Sequence, residues 1–218
     1  MPIEKSTELL MYATTWMAIF TFLAVVAALF GGAIKAAMFK AKLKVDLRSK
    51  YGDLNKRNLT SVQYPDGRLV TARFYQLSIS NSSAVTKATQ TQVFLVRVEE
   101  PGQDGNLQIR WDSEIPLRWV HQEINPLTRT VGSTAYCDLF NIVQDKFLEL
   151  APIITPYNLL PYMRHLHDEK CHLVLSVQAR SAEGVSPITR FDIMWNGKWH
   201  DGKEEMVEHV IINRLPDA

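Results

Sequence analysis

The hydrophobic positions of the chain form two patterns, one continuous run near the beginning and a two-residue alternation over much of the rest. No charged residue occurs between Glu8 and Lys35, so the uncharged run from Leu9 to Ile34 is 26 positions long. A bilayer core about 30 Å thick needs about 20 helical residues. The run therefore predicts a transmembrane helix over residues 9–34, preceded by a short tail over residues 1–8.

A cleaved signal peptide and a buried core helix are the two other interpretations of this run. A signal peptide has a basic start and an apolar stretch of about 7–15 residues, whereas this chain begins with Glu4 close to Lys5 and has a longer apolar stretch. A core helix usually has a polar face, and the stretch from Leu9 to Phe30 has only three threonines to form one. We favour the membrane span.

The charges that flank the run predict its orientation. The basic residues that follow it are Lys35, Lys40, Lys42, Lys44, Arg48 and Lys50. Only Asp46 opposes them, whereas Lys5 is the one basic side chain before the run. Lysine and arginine resist transfer across a membrane. We therefore expect a short N-terminus outside and a large C-terminal domain in the cytoplasm, as in a single-pass protein of the bacterial inner membrane.

Residues 35–57 are interpreted as a basic juxtamembrane helix and a linker. Apolar residues alternate with lysines at helix-compatible spacing from Ala33 to Lys50, and the stretch from Tyr51 to Asn58 is polar. Either the membrane helix continues into the headgroups, or a short interfacial helix binds anionic lipid. The candidate headgroup ligands are Lys35, Lys40, Lys42 and Lys44.

Residues 58–218 are predicted to form one β-rich domain. Alternation of apolar and polar residues predicts strands at Leu69–Ser80, Gln92–Glu99, Leu107–Trp111, Leu117–His121, Leu173–Ala179, Phe191–Trp195 and Val207–Ile212. Short strands separated by turn signals are typical of an antiparallel β-sandwich or a barrel, not of a parallel α/β sheet. The fold class is therefore mainly β, with one N-terminal transmembrane helix.

The segment from Tyr136 to Leu150 fits two periods. Its apolar residues have helical spacing, yet the part from Tyr136 to Val143 also alternates, and we favour a strand there. Three prolines predict a loop from Ala151 to Tyr162.

The segment from Leu77 to Val98 reads LSISNSSAVTKATQTQVFLVRV. It resembles the opening hairpin of immunoglobulin-like domains of the bacterial cell-adhesion-related type, in which a strand ends in an asparagine turn and a second alternating strand returns. Asn81-Ser82-Ser83 stands where those domains often have Asn-x-Gly. The resemblance implies a sandwich of two sheets and carries no functional residues with it.

Composition narrows the range of functions. Beyond residue 44 the chain has 19 basic and 21 acidic residues, a net charge of −2, whereas nucleic-acid binding usually depends on a basic surplus. Nucleic acid is therefore not an expected partner. The 10 glycines form no phosphate-binding loop, so no cofactor is predicted. Cys137 and Cys171 lack the setting of a catalytic nucleophile and are expected to be small core residues.

Two clusters could nevertheless bind a ligand. His165, His167 and His172 are metal-capable, since histidines two apart on a strand share a face, but the alternative is a polar turn that leads into the next strand. Trp199 and His200 follow an Asn196-Gly197 pair that predicts a tight hairpin turn. They form either an exposed binding edge or, for the tryptophan, a packing contact across that hairpin.

Small residues recur every four positions in the membrane helix, at Ala24, Ala28 and Gly32. This spacing lets two helices approach closely in lipid and makes a homo-oligomer a hypothesis, although alanine is common in such helices.

Three functions remain open. The first is a membrane-anchored module that binds a protein or small ligand, and it is the one we favour. The second is a sensing domain that controls the oligomerisation of a membrane-perturbing helix. The third is a metal-dependent enzyme, which the sequence supports least.

Overall fold

The computed structural model describes residues 2–38, 40–61, 64–102, 104–120, 127–154 and 159–216. The chain divides into two compact units, an N-terminal one up to Lys40 and a domain from Ala41 onward.

The N-terminal unit is a single helix, α1 (Pro2–Met38). Its segment Met11–Phe30 is long and apolar enough to cross a membrane, and none of that segment is buried within the protein. The hydroxyl groups of Thr15 and Thr21 donate to the carbonyls of Met11 and Met17, each at 2.8 Å. These two polar groups are therefore satisfied one turn back along the helix, as an apolar surrounding requires.

The described part of the domain contains thirteen strands and two short helices. In chain order they are β1 (Leu43–Leu47), β2 (Asp53–Ser61), β3 (Tyr64–Asn81), β4 (Ala88–Pro101), β5 (Leu107–Pro116), β6 (Arg129–Val131), β7 (Thr134–Val143), β8 (Phe147–Leu150), α2 (Leu160–Met163), β9 (Arg164–Leu166), β10 (Cys171–Ser181), β11 (Gly184–Val185), β12 (Thr189–Trp195), α3 (Lys203–Val207) and β13 (Val210–Arg214).

The strands form two antiparallel sheets. In the first sheet β1 and β2 both pair with β3, and the order continues through β7 and β8 to β9. In the second sheet the order is β13-β12-β10-β4-β5, with β11 paired to β10 and β6 paired to β4. The prediction of a mainly β fold with an antiparallel sandwich and one apolar N-terminal helix is confirmed.

Alternating side chains of both sheets form one core. Tyr75 and Leu77 of β3 are buried in the same apolar cluster as Leu175 of β10 and Phe191 of β12. The rings of Tyr75 and Phe140 stack with their centroids 4.6 Å apart. Because side chains alternate along a strand, the residues between these core positions face away from it.

The predicted juxtamembrane helix and linker differ from the structure. The helix ends at Met38, and residues 43–47 and 53–61 are strands β1 and β2. Leu43 and Val45 are buried, whereas Lys42 and Lys44 are exposed. Side chains in this segment therefore alternate between the core and the surface, as in a strand and not as in a helix. The domain consequently begins at Ala41 and not at residue 58.

Other predicted strands also differ from the structure, and the ambiguous segment is resolved. Leu117 and Trp119 form only isolated bridges, to Pro152 and Cys137, instead of a strand, and His121 lies outside the described residues. The predicted strand at 207–212 begins at Val210, after helix α3. The ambiguous segment forms strands, β7 and β8, which a turn at residues 144–146 connects.

The hairpin implied by the immunoglobulin resemblance is not formed. β3 ends at Asn81 and belongs to the first sheet, whereas β4 begins at Ala88 and belongs to the second. The segment from Leu77 to Val98 is thus a connection between sheets, and the asparagine ends a strand without returning the chain to the same sheet.

Candidate binding site

Three polar residues form a row across the middle of the second sheet. Arg97 of β4 is directly opposite Ser176 of β10, and Ser176 is directly opposite Arg190 of β12. Directly opposed residues of antiparallel strands have Cβ atoms about 4.5–5.5 Å apart. The neighbours of Ser176 along the strand, Leu175 and Val177, are core residues, so the row lies on the face that points away from the core.

Two carboxylates hold the two arginines. Nη2 of Arg190 donates to Oε2 of Glu99 at 2.9 Å, and both side chains are largely buried, with 25% and 10% exposed. Nη2 of Arg97 donates to Oδ2 of Asp112 at 2.9 Å in a more open position. In the first pair each side chain balances a charge that would be costly to bury without a partner. The second pair lies at the surface and contributes little to the stability of the domain.

These residues form the bottom and sides of a cleft of about 450 Å³. The lining residues are Val96, Arg97, Glu99, Asp112, Ser176, Pro187, Ile188 and Arg190. One wall is apolar, and Ile188 is 46% exposed there. The other sides carry two cations and two anions, so the cleft has both donors and acceptors and no formal net charge.

Several hydrogen-bond donors in this cleft are free to bind a ligand. A guanidinium has five N–H groups, and within the described residues Arg97 and Arg190 each use one of them on a protein acceptor. Ser176 is 5% exposed, and its hydroxyl makes no hydrogen bond to any described residue. A ligand with carboxylate oxygens would satisfy these donors, because charge-assisted bonds to guanidinium are among the strongest in proteins.

The polar groups of the cleft are carboxylates, guanidinium groups and one hydroxyl, and no histidine or cysteine lines it. The two cysteines are buried in the core instead. Burial raises the pKa of the Cys171 thiol to about 12, and burial also raises the pKa of Cys137, so both thiols are protonated and unreactive at neutral pH.

The three histidines proposed as metal ligands do not converge. His165 lies on β9 of the first sheet, where burial lowers its pKa, and His167 follows that strand. His172 lies on β10 of the second sheet and its Nε2 is 2.6 Å from Oδ1 of Asp192. Among the described residues no group of three or more His, Cys, Asp or Glu side chains is placed to hold a metal ion.

Trp199 and His200 lie in the loop between β12 and α3. Trp199 is partly buried and packs against the core, and its Nε1 donates to Oδ1 of Asp201 at 2.9 Å. His200 is exposed, and its Nδ1 accepts from the backbone N–H of Gly202 at 3.0 Å. The predicted tight turn at Asn196-Gly197 is not formed, because only the glycine has a positive φ. Trp199 therefore makes a core contact, but not across a hairpin.

The residues proposed for the membrane segment are placed as follows. Ala24 and Ala28 are exposed along α1, in which residues four apart share a face, and Gly32 lies one turn further. Lys35 is within the same helix, whereas Lys40 and Lys42 follow it and Lys44 lies on β1. Self-association and lipid binding by these residues stay predictions.

Comparison of the chain with known protein families, with curated proteins and with solved structures finds no match.

The sequence does not reveal the cleft, because its polar residues come from four strands and only the register brings them together. Each of these polar residues is ordinary for the outward face of a strand. The one local signal was that Ser176 interrupts an otherwise apolar strand, from Leu173 to Val177.

Proposed function

We propose that the protein is a single-pass membrane protein whose β-sandwich domain binds a carboxylate-bearing small ligand or protein partner at the membrane surface. The row of Arg97, Ser176 and Arg190 at the bottom of the cleft carries this proposal. The apolar helix segment Met11–Phe30 supports the anchoring. The excess of lysines after that segment supports a cytoplasmic location of the domain, on the inner face of a bacterial inner membrane.

A carboxylate group fits this cleft better than a phosphate group does. The oxygens of one carboxylate can accept from two converging guanidinium groups and a hydroxyl. Because Glu99 and Asp112 already balance both arginines, the cleft has no surplus positive charge for the two charges that a phosphate group carries on one centre. The apolar wall at Pro187 and Ile188 would contact the carbon atoms that bear the carboxylate.

Calorimetric titration of the full-length protein in detergent micelles tests this proposal, with succinate as the probe. The neutral diamide of succinate is the matched control ligand. We expect succinate to bind at least about tenfold more tightly than the diamide, since hydrogen bonds to charged groups contribute roughly 1.5–3 kcal/mol.

Variants locate the binding. Arg97→Gln should weaken succinate binding about tenfold, and Ser176→Ala should weaken it by a smaller factor, about fivefold. Arg180→Gln is the matched control, because Arg180 lies on the same sheet but both its Nη atoms bind Glu114 outside the cleft, at 2.8 and 2.6 Å. Equal binding of acid and diamide, or an equal loss in the Arg180 variant, would show that the cleft is not a carboxylate site.

A further inference from the structure

Two loops enclose the point at which the chain enters the domain. The N–H of Ala41 donates to the carbonyl of Glu183 at 3.2 Å, and the N–H of Ser82 donates to the carbonyl of Lys42 at 3.1 Å. The N–H of Lys42 in turn donates to Oδ1 of Asn81 at 3.1 Å. Residues 41–42 are therefore held between the β3–β4 loop on one side and the β10–β11 turn on the other.

Direct contacts also join the β10–β11 turn to the start of β4. The N–H of Ala182 donates to the carbonyl of Thr89 at 3.1 Å. The backbone N–H of Thr89 donates to Oε2 of Glu183 at 2.6 Å, and the Thr89 hydroxyl contacts the other carboxylate oxygen. One continuous end of the domain thus contains both loops and the chain entry.

This end exposes apolar side chains. Val85 is 73% exposed, the highest value for a large hydrophobic residue among the described residues of the domain, and Val185 is 57% exposed. Ala84 and Ala182 beside them are also exposed. Exposed apolar side chains that are grouped at one end of a domain are the kind of surface that binds a membrane or a partner.

The charges at this end favour an anionic surface. Lys42 and Lys87 are exposed and form no ion pair with any described residue. Glu183 also lies at this end, where it accepts from Thr89, so these three side chains carry two positive charges and one negative charge. We call the set Lys42, Ala84, Val85, Lys87, Ala182 and Val185 the entry face.

We propose that the entry face docks on the bilayer, with Val85 and Val185 in the headgroup region and Lys42 and Lys87 on anionic lipid headgroups. The inference rests on the membrane anchoring in the proposed function. Lipid is favoured over a protein partner because the chain reaches this face directly after the apolar helix, with only residues 39 and 40 between Met38 and Ala41. Lysine and exposed aliphatic side chains together are what an anionic interface attracts.

Fluorescence of the full-length protein in vesicles tests the docking. A polarity-sensitive label is attached to Val85→Cys, Val185→Cys or Asp104→Cys, and unmodified protein is the labelling blank, since Cys137 and Cys171 are buried. Asp104 is the matched control, because it follows the end of β4 that is far from the entry face. β4 has 14 residues and is roughly 40 Å long. We expect a blue-shifted emission and several-fold stronger quenching by lipid-borne quenchers at residues 85 and 185 than at residue 104.

Charge variants separate anionic headgroups from neutral lipid. With phosphatidylglycerol present, replacing Lys42 and Lys87 by Gln should reduce the equilibrium constant for docking by about fivefold per lysine. The far-end pair Lys170→Gln and Lys198→Gln should change nothing. Docking that is equal in pure phosphatidylcholine would overturn the role of the lysines.

Flotation separates the failure of docking from the failure of anchoring. Protein that floats with the vesicles but has the same water-like emission at all three sites would overturn the docking and leave the anchor intact. Protein that does not float with the vesicles would overturn the anchor as well. Hydrogen exchange of unlabelled protein, in vesicles and in detergent, checks that the 82–87 loop is protected without any label.

Discussion

At the scale of single residues, charged side chains connect different strands on the outer face of the first sheet. Glu149 of β8 binds Arg164 of β9, with Nη2 2.5 Å from Oε1, and it also forms an ion pair with Arg57 of β2. Arg57 donates to Oδ1 of Asn141 on β7 as well. Only 15% of the Glu149 side chain is exposed, so this carboxylate links three strands in a largely desolvated position.

Glu149→Gln should make the domain less stable in a pH-dependent way. Burial alone would raise the pKa of Glu149, but the bonds from Arg164 and Arg57 outweigh it and lower the pKa below its ordinary value of 4.5. A lowered pKa stabilises the fold above the unfolded pKa, and this stabilisation is lost as the pH falls through the folded value. We expect a loss of about 2 kcal/mol in the free energy of unfolding at pH 7.

Urea unfolding of the full-length protein in micelles measures this effect. The difference between wild type and Glu149→Gln should shrink as the pH falls below 4.5. Glu114→Gln is the control, since its pair with Arg180 is exposed and should contribute no more than about 1 kcal/mol. A loss that does not vary with pH would contradict the assigned role of the carboxylate.

Arg73 shows what alternation predicts and what it does not. It shares the core-facing side of β3 with Tyr75 and Leu77, and it is 2% exposed. Its guanidinium donates to the carbonyls of Tyr51 and Asp201 at 3.1 and 2.7 Å. The alternation of side chains along β3 predicts that Arg73 points inward. Only the structure shows the carbonyl oxygens whose hydrogen bonds reduce the cost of burying its charge.

At the scale of elements, one glycine positions the loop after β12. Gly197 has a φ of +84°, and a Cβ there would lie 2.8 Å from the backbone carbon of Asp168. The N–H of Asp168 donates to the carbonyl of Gly197 at 3.0 Å. The loop is therefore packed against the turn that precedes β10 and cannot accept a side chain at this position.

Gly197→Ala should lower the free energy of unfolding by more than about 1 kcal/mol, because alanine is strained at positive φ and meets backbone at this site. Urea unfolding again measures the change. Gly132→Ala is the matched control, since no atom lies within 4 Å of its added Cβ and its stability should stay close to that of wild type. Equal effects of the two substitutions would refute the close approach.

The elements that sequence could predict are those with one buried face. β3, β4 and β12 alternate apolar and polar residues, and β10 has apolar residues at every second position from Leu173 to Ala179. β2 gives no such signal, because its described side chains are mostly exposed. In β1, Leu43 also fits the helical spacing of the preceding residues, and only pairing with β3 decides between helix and strand. The cleft depends on register, which a single strand does not encode.

At the scale of the whole molecule, the chain has two parts, an apolar helix and a β-domain. The helix segment Met11–Phe30 carries no charge and has no protein surface of its own unit to pack against. Such a segment is stable in hydrocarbon because its backbone groups are bonded within the helix. The proposed ligand cleft and entry face would then both act at a membrane surface.

Alkaline washing of membranes from cells that express the full-length protein tests this membrane anchoring most directly. We expect the wild-type protein to stay in the membrane pellet. Phe22→Arg combined with Val25→Arg should release much of it, because each arginine in the centre of a span costs roughly 2.5–3.5 kcal/mol or more. Wild-type protein found in the aqueous supernatant after the wash would contradict the account.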